Sequence, residues 1–221
     1  EALARLNSNQ LGVASPLEFI PIAEETKLII PLGDKIIIKA LIFLNKLRDN
    51  GYDLLTVSIN ISAIQLLRLD FRDKLFVKIN EAQVRPEKIS LEITESVFTS
   101  NYEEVNRVLG DLKDSKINIA IDDFGTGYSS LARARGLKVN CLKIDKSFID
   151  SLMDLNTGDA IAGDIISMAH KMGHCVIAEG VEHDKQKQYL QSSGCDRMQG
   201  YLISKPLDEE AAIEFLKKND Y

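Results

Sequence analysis

The chain has little of what disulfide-stapled, zinc-binding or nucleic-acid-coating proteins rely on. Cysteine occurs three times in 221 residues, as Cys141, Cys175 and Cys195, with no C-x-x-C spacing. That argues against a disulfide framework or a zinc site, and buried free thiols in a reducing cytoplasm are expected. His170, His174 and His183 do not share metal-site spacing either, and helix surface and strand entry account for them. Basic charge is not in excess. Lys and Arg total 27 against 33 Asp and Glu, a net charge of −6. A general patch for a nucleic-acid polymer is thereby excluded, although one phosphate ligand remains within reach of a local Arg, Lys or metal. No apolar run approaches a membrane span, and no signal peptide is expected before the first residue. Linkers, low-complexity tracts and close repeats are missing as well. A single cytoplasmic domain over 1–221 is the expectation.

What is present is an alternation of strand and helix. Glu1 to Arg5 reads as the end of a strand, and 7–14 as a polar connection. Ser15 and Glu18 make a capping box with Pro16 at the first helical position. Pro31 is expected to separate that helix from a second over about 32–50, closed by Gly51. Strands are then expected over 54–60, 89–94, 140–145, 175–179 and 196–199. Another carries the β-branched Ile117, Ile119 and Ile121 and ends in Asp122-Asp123. Helices are expected over 63–67, 71–82, 102–115, 129–135, from 146, and over 157–172, 184–191 and 208–218. Repeated strand–helix units predict a parallel sheet with helices outside it. Their number favours a barrel, for which about 250 residues is a natural size.

Adjacent strand residues face opposite ways, so Asp122 and Asp123 need a strand end to turn toward one site. Two carboxylates held close repel each other, and a cation relieves the repulsion. The alternative is a solvated turn in which Asp caps the next helix. The other strands decide between them. Read at their last residues, they offer Glu1, Asn60, Glu92, Lys143 with Asp145, Glu179 and Gln199. In a barrel those ends share one mouth, where active sites are built. An ion-pair network around Lys143 would neutralise only part of the acidic excess. The ligand set is carboxylate and amide oxygen, which suits Mg²⁺ or Mn²⁺ better than Zn²⁺. A pair of such ions activates water and neutralises a phosphodiester during in-line displacement, with Lys143 adding positive charge. Phosphodiester hydrolysis is the expected reaction.

Seven motifs, in this order, resemble those of EAL domains. They are Glu1-Ala2-Leu3 with Arg5, Ser58-Ile59-Asn60-Ile61-Ser62, Leu91-Glu92-Ile93-Thr94-Glu95-Ser96, and Asp122-Asp123-Phe124-Gly125-Thr126-Gly127-Tyr128-Ser129-Ser130-Leu131. Leu142-Lys143-Ile144-Asp145, Ala178-Glu179-Gly180-Val181-Glu182 and Gln199-Gly200-Tyr201 complete the set. The resemblance covers essentially the whole chain. It implies an α/β fold, a modified TIM (β/α)8 barrel, that hydrolyses cyclic di-GMP to linear pGpG, with a non-catalytic cyclic di-GMP receptor as the alternative. By motif, Glu1, Asn60, Glu92 and Asp122 would hold one metal. Asp122 would bridge to a second, held also by Asp123 and Glu179. Lys143 and Glu179 would position or deprotonate the attacking water. Arg5 would contact substrate phosphate, and Leu3 and Gln199 would line the substrate pocket. Asp145 would be a further substrate contact, or equally a cap for the helix at Ser147. Glu95 would brace the glycine loop after Asp123.

The resemblance also implies two Mg²⁺ or Mn²⁺ ions, inhibition by Ca²⁺, and a homodimer. An upstream sensory or GGDEF-type domain is implied too, along with a first barrel strand that precedes this chain. Some positions depart from the pattern. Leu6 stands where an aromatic usually follows the arginine, and Leu137-Lys138-Val139-Asn140 replaces the usual Leu-Pro-Val-Asp. The helix before it reads Ala132-Arg133-Ala134-Arg135-Gly136.

Overall fold

A computed structural model of the chain describes every residue except 9, 11, 96, 98–100, 126–134, 154–160 and 220–221. In chain order its elements are β1 (Leu6–Ser8), β2 (Gly12–Ala14), α1 (Pro16–Glu25), α2 (Ile29–Asp49), β3 (Val57–Asn60), α3 (Ala63–Leu66) and α4 (Phe71–Glu81). Then come β4 (Ile89–Thr94), α5 (Tyr102–Asp114), β5 (Asn118–Phe124), β6 (Cys141–Ile144), α6 (Lys146–Asp150), α7 (Ile161–Lys171), β7 (Cys175–Ala178), α8 (Asp184–Ser192), β8 (Arg197–Met198) and α9 (Glu209–Lys218). They fall into two compact units. One is Glu1–Glu92 with Asp114–Asn118 and Asp208–Tyr221, and the other is Ile93–Lys113 with Ile119–Leu207.

In the first unit β3 and β4 pair in parallel, from Val57 opposite Ile89 to Asn60 opposite Glu92. Ile59, Ile89 and Leu91 are fully buried, and α2 packs on β3 through a stripe that buries Ile37, Leu41 and Leu44. That 3.6-residue spacing is the amphipathic pattern the sequence carries. Ser15 caps α1, which starts at Pro16 as expected, but its hydroxyl accepts the Leu17 N–H at 3.3 Å in place of the expected box with Glu18. Two expectations need correction. The break between α1 and α2 comes at Lys27, with φ +58°, and Pro31 lies inside the first turn of α2. An N–H is not needed there, so proline is tolerated. Residues 7–14 are not a plain connection, because Leu6–Ser8 and Gly12–Ala14 form a short antiparallel hairpin. Three-residue strands are too short for alternation to reveal them.

In the second unit β5, β6, β7 and β8 follow one another in parallel ladders. Ile119, Ile121, Leu142, Ile144, Val176 and Ala178 are all buried, and α7 covers β6 and β7 with Ile166 and Ala169. The Asn140 departure is absorbed locally: its Oδ1 accepts the Ile119 N–H at 3.0 Å, and its own N–H donates to the Ile119 carbonyl at 2.8 Å. The ladder is thereby extended by one rung. The helix expected over 129–135 lies almost wholly outside the described residues, as does the start of the one expected over 157–172. Among the described residues, no helix is long and apolar enough to cross a membrane.

The cysteine expectation is also corrected. Cys141 and Cys175 are direct partners in the β6–β7 ladder, with Cα atoms 4.4 Å apart, and they are joined as a disulfide. Residues 34 apart in sequence meet through register, which a search for close Cys spacing does not see. Cys195 remains a free thiol. Denaturation without reductant, followed by alkylation and mass analysis, should label Cys195 alone. Prior reduction should label all three, and three labelled thiols without reductant would remove the bond.

Candidate active site

The site in the second unit begins with an irregularity in β5. This strand pairs with β6 at Ala120–Cys141 and Ile121–Leu142, then slips before pairing resumes at Phe124–Ile144. Asp122 and Asp123 occupy the slip. The sequence led us to expect a strand end there, yet the strand continues to Phe124. A bulge does what a strand end would have done, re-aiming side chains that a regular pleat would send to opposite faces. Asp123 has φ +54°, a left-handed conformation that Asp tolerates better than bulky or β-branched residues. Asp122 Oδ1 accepts the Asp123 N–H at 3.0 Å, which holds the turn.

Lys143 stands beside them on β6, a strand buried along its whole length. Its side chain is 1% exposed. The ammonium is 2.7 Å from Glu179 Oε1 and 3.3 Å from Asp122 Oδ1. Register explains the first contact. Lys143 pairs with Ile177, and Glu179 lies two residues further along, on the same side of the ladder. The Glu179 N–H donates to the Ile144 carbonyl at 3.1 Å and fixes that position. Asp122, Asp123 and Glu179 each offer a carboxylate oxygen, all within 4.8 Å of one another. With all groups ionised, these three carboxylates and one ammonium carry a net charge of −2. An all-oxygen set of this kind and spacing fits a hard divalent cation.

The first unit brings together another part of the predicted set. Ala2 bridges to Ile59, and its N–H donates to the Ser58 carbonyl at 2.8 Å, which sets Glu1 beside the end of β3. Asn60 Nδ2 then donates to Glu1 Oε1 at 2.7 Å. Glu92 lies opposite Asn60 in the ladder, is 2% exposed, and offers an oxygen within 4.8 Å of one from Glu1. These donors too are oxygens, apart from the amide nitrogen.

The remaining predicted residues have simpler surroundings. Glu95 is buried and its Oε2 accepts the Gly125 N–H at 3.0 Å. The Gln199 carbonyl accepts the Val181 N–H at 3.0 Å, just after Glu179. Asp145 is the N-cap of α6, accepting the Ser147 N–H at 3.1 Å and its hydroxyl as well. Leu3 is half exposed, and the Arg5 guanidinium donates to the neighbouring Ala4 carbonyl at 2.9 Å. Three polar residues beside Glu179 were missed: Lys146, Glu182 and Gln186. Gln186 is fully buried and forms a capping box with His183. A glutamine three residues after an N-cap position was the signal available for it.

An oxygen-lined, lysine-braced cluster that could hold a divalent cation defines the class. The EAL domain family model matches residues 1–206, so the chain belongs to the EAL domain family. It is 42% identical over 216 residues to the signaling protein YkoW of Bacillus subtilis, covering 98% of this chain and 27% of that protein. It is 36% identical over 217 residues to the cyclic di-GMP phosphodiesterase NbdA of Pseudomonas aeruginosa, covering 98% and 28% respectively. The chain thus spans just over a quarter of the length of these two relatives. Among solved structures, the PaMucR phosphodiesterase in its c-di-GMP complex superposes with a TM-score of 0.89 at 31% identity, covering 94% of this chain and 84% of that one. The fold is therefore the TIM-barrel-like fold of EAL domains.

The left-handed Asp123 gives a test of how the site is held. Asp123→Gly should relieve backbone strain and like-charge repulsion, raising metal-free stability by roughly 0.5–1.5 kcal/mol. The same change should weaken Mn²⁺ binding by at least about tenfold, since one of three carboxylates is gone. Calorimetric melting and Mn²⁺ titration check the two halves. A lower melting temperature without metal would show that Asp123 serves the fold.

Proposed function

We propose that this domain is a metal-dependent phosphodiesterase that hydrolyses cyclic di-GMP to linear pGpG. The observation that carries the reading is the buried Lys143 ammonium between Asp122 and Glu179, with Asp123 completing the oxygen cluster. Support comes from NbdA, named a cyclic di-GMP phosphodiesterase, and from the PaMucR phosphodiesterase, solved with c-di-GMP. Asp122, Asp123 and Glu179 would hold one divalent cation, and Glu1, Asn60 and Glu92 would hold another. Mg²⁺ or Mn²⁺ suits both sets. When bound, such ions supply an acidified water and neutralise charge on the phosphoryl oxygens.

The residues themselves divide the work. Glu179 accepts the proton of the attacking water as its oxygen bonds to phosphorus. The bond to the 3′ oxygen breaks, and that oxygen takes up a proton from solvent and leaves as a hydroxyl, giving the 5′-phosphorylated dinucleotide. Lys143 orients Glu179 and offsets negative charge as it grows on the phosphoryl group. A fixed ammonium in a dry site does this without reorganisation. Arg5 binds a substrate phosphate, while Leu3, Gln199 and Asp145 line the ligand pocket. Glu95 braces the turn at Gly125 and so the bulge that aims the aspartates.

A homodimer, a cytoplasmic location and an upstream sensory or GGDEF-type domain go with this reading. The greater length of the relatives supports a further domain in the full-length protein. The glycine-loop motif supports dimerisation, but its residues 126–131 lie outside the described residues.

Incubation with cyclic di-GMP and Mg²⁺ or Mn²⁺, with chromatographic separation, should yield linear pGpG, and EDTA should abolish it. Ca²⁺ should inhibit, because its longer bonds and looser coordination misplace the water. Glu179→Gln and Lys143→Met should each lower turnover by about 10²- to 10⁴-fold. Calorimetry in Ca²⁺ should find cyclic di-GMP affinity largely kept. Binding without a linear product in either Mg²⁺ or Mn²⁺ would make the domain a receptor.

A further inference from the structure

The turn after Glu179 is tied to helix α6 by contacts that the hydrolysis scheme does not use. Gly180 has φ +68°, and the aliphatic stem of Lys146 lies over it. A Cβ added at Gly180 would stand 2.3 Å from Lys146 Cγ. Beyond the stem, the Lys146 ammonium donates to Asp150 Oδ1 at 2.9 Å and to Glu182 Oε1 at 3.0 Å. Those two carboxylates, Asp150 foremost, hold its pKa above the ordinary lysine value. A second tie runs beneath. The buried Gln186 accepts the N–H groups of Glu182 at 2.8 Å and His183 at 2.9 Å, and its own amide donates to the Ile149 carbonyl at 3.1 Å.

The two ends of this bracket matter because of where they lie in the chain. Lys146 is three residues after Lys143, and Glu182 is three residues after Glu179. The bracket therefore joins the segment leaving β6 to the segment leaving β7, just past the two groups whose side chains meet at 2.7 Å. Gly180 has no side chain to limit its own backbone, so the path of the chain after Glu179 depends on what rests on it.

We propose that Lys146, gripped by Glu182, is a positioning residue for Glu179: it sets where that carboxylate stands against Lys143 and within the cluster formed with Asp122 and Asp123. This rests on reading the cluster as a divalent-metal phosphodiesterase site. The Lys146–Glu182 pair is partly exposed, so it contributes little to global stability. Its effect falls on geometry. Outer partners that orient metal-binding groups commonly change metal affinity or activity by about 10- to 100-fold when removed.

The experiment compares wild type, Lys146→Met and Lys146→Arg by Mn²⁺ titration with electron paramagnetic resonance, by cyclic di-GMP turnover at saturating Mn²⁺, and by melting temperature. Lys146→Met should raise the Mn²⁺ Kd and lower kcat, each by about 10- to 100-fold. KM should stay within about twofold, and the melting temperature within about 2 °C. Lys146→Arg should restore both affinity and kcat, since a guanidinium reaches the same two carboxylates. Wild-type Mn²⁺ affinity and kcat in Lys146→Met would overturn the proposal. So would a joint collapse of kcat and melting temperature that arginine does not rescue. Absence of turnover in wild type would remove the phosphodiesterase reading, and the Mn²⁺ affinities alone would then decide the role of Lys146.

Discussion

The second unit is organised around one buried ammonium. Lys143 is 1% exposed on a strand whose other residues are apolar, and Glu179 and Asp122 stand against its ammonium. Three carboxylates within 4.8 Å would repel one another without a positive partner. Removing the Lys143 ammonium would leave Glu179 and Asp122 without that positive partner, which costs on the order of 3–5 kcal/mol. This requirement fixes details elsewhere: the β6–β7 register that brings Glu179 to the ammonium, and the slip in β5 that brings Asp122 there. An oxygen cluster of this kind could hold a divalent cation.

Backbone conformations that are costly for ordinary residues gather at the same place. Asp123 is left-handed, and Gly180 follows Glu179 with positive φ. Gly200 lies so close to the Val181 backbone that an added Cβ would stand 2.2 Å from its carbonyl oxygen. Only a glycine permits that approach, which lets Val181 and Gln199 exchange a main-chain bond directly after Glu179. Strain concentrated beside a charged cluster is the pattern of a site in which geometry is held at the expense of stability.

The first unit shows the same logic in milder form. Parallel pairing sets Asn60 opposite Glu92, and the Ala2–Ile59 bridge adds Glu1 to the row. No unusual backbone is needed, because three neighbouring chain segments in register present their end residues side by side. Ser62 adds a cap to α3 there, with its hydroxyl donating to Glu24 of α1 at 2.6 Å, so the segment after Asn60 is held from both sides.

The sequence by itself determined the alternation of strands and helices, because apolar period and capping chemistry are local properties. Ser15 with Pro16, Ile89–Thr94 and the α2 stripe all form where their residues say. It also determined the chemical type of the site, since acidic, amide and lysine residues at strand ends are visible one strand at a time. Tertiary structure alone decided the rest. That Asp122 and Asp123 sit in a bulge depends on how β5 meets β6, not on the residues of β5. The Cys141–Cys175 bond depends on a register between strands 34 residues apart. The roles of Lys146 and Gln186 depend on where a short helix lies against a turn. Each of these is a relation between distant segments, and no local pattern of residues encodes a distance between segments that have yet to meet.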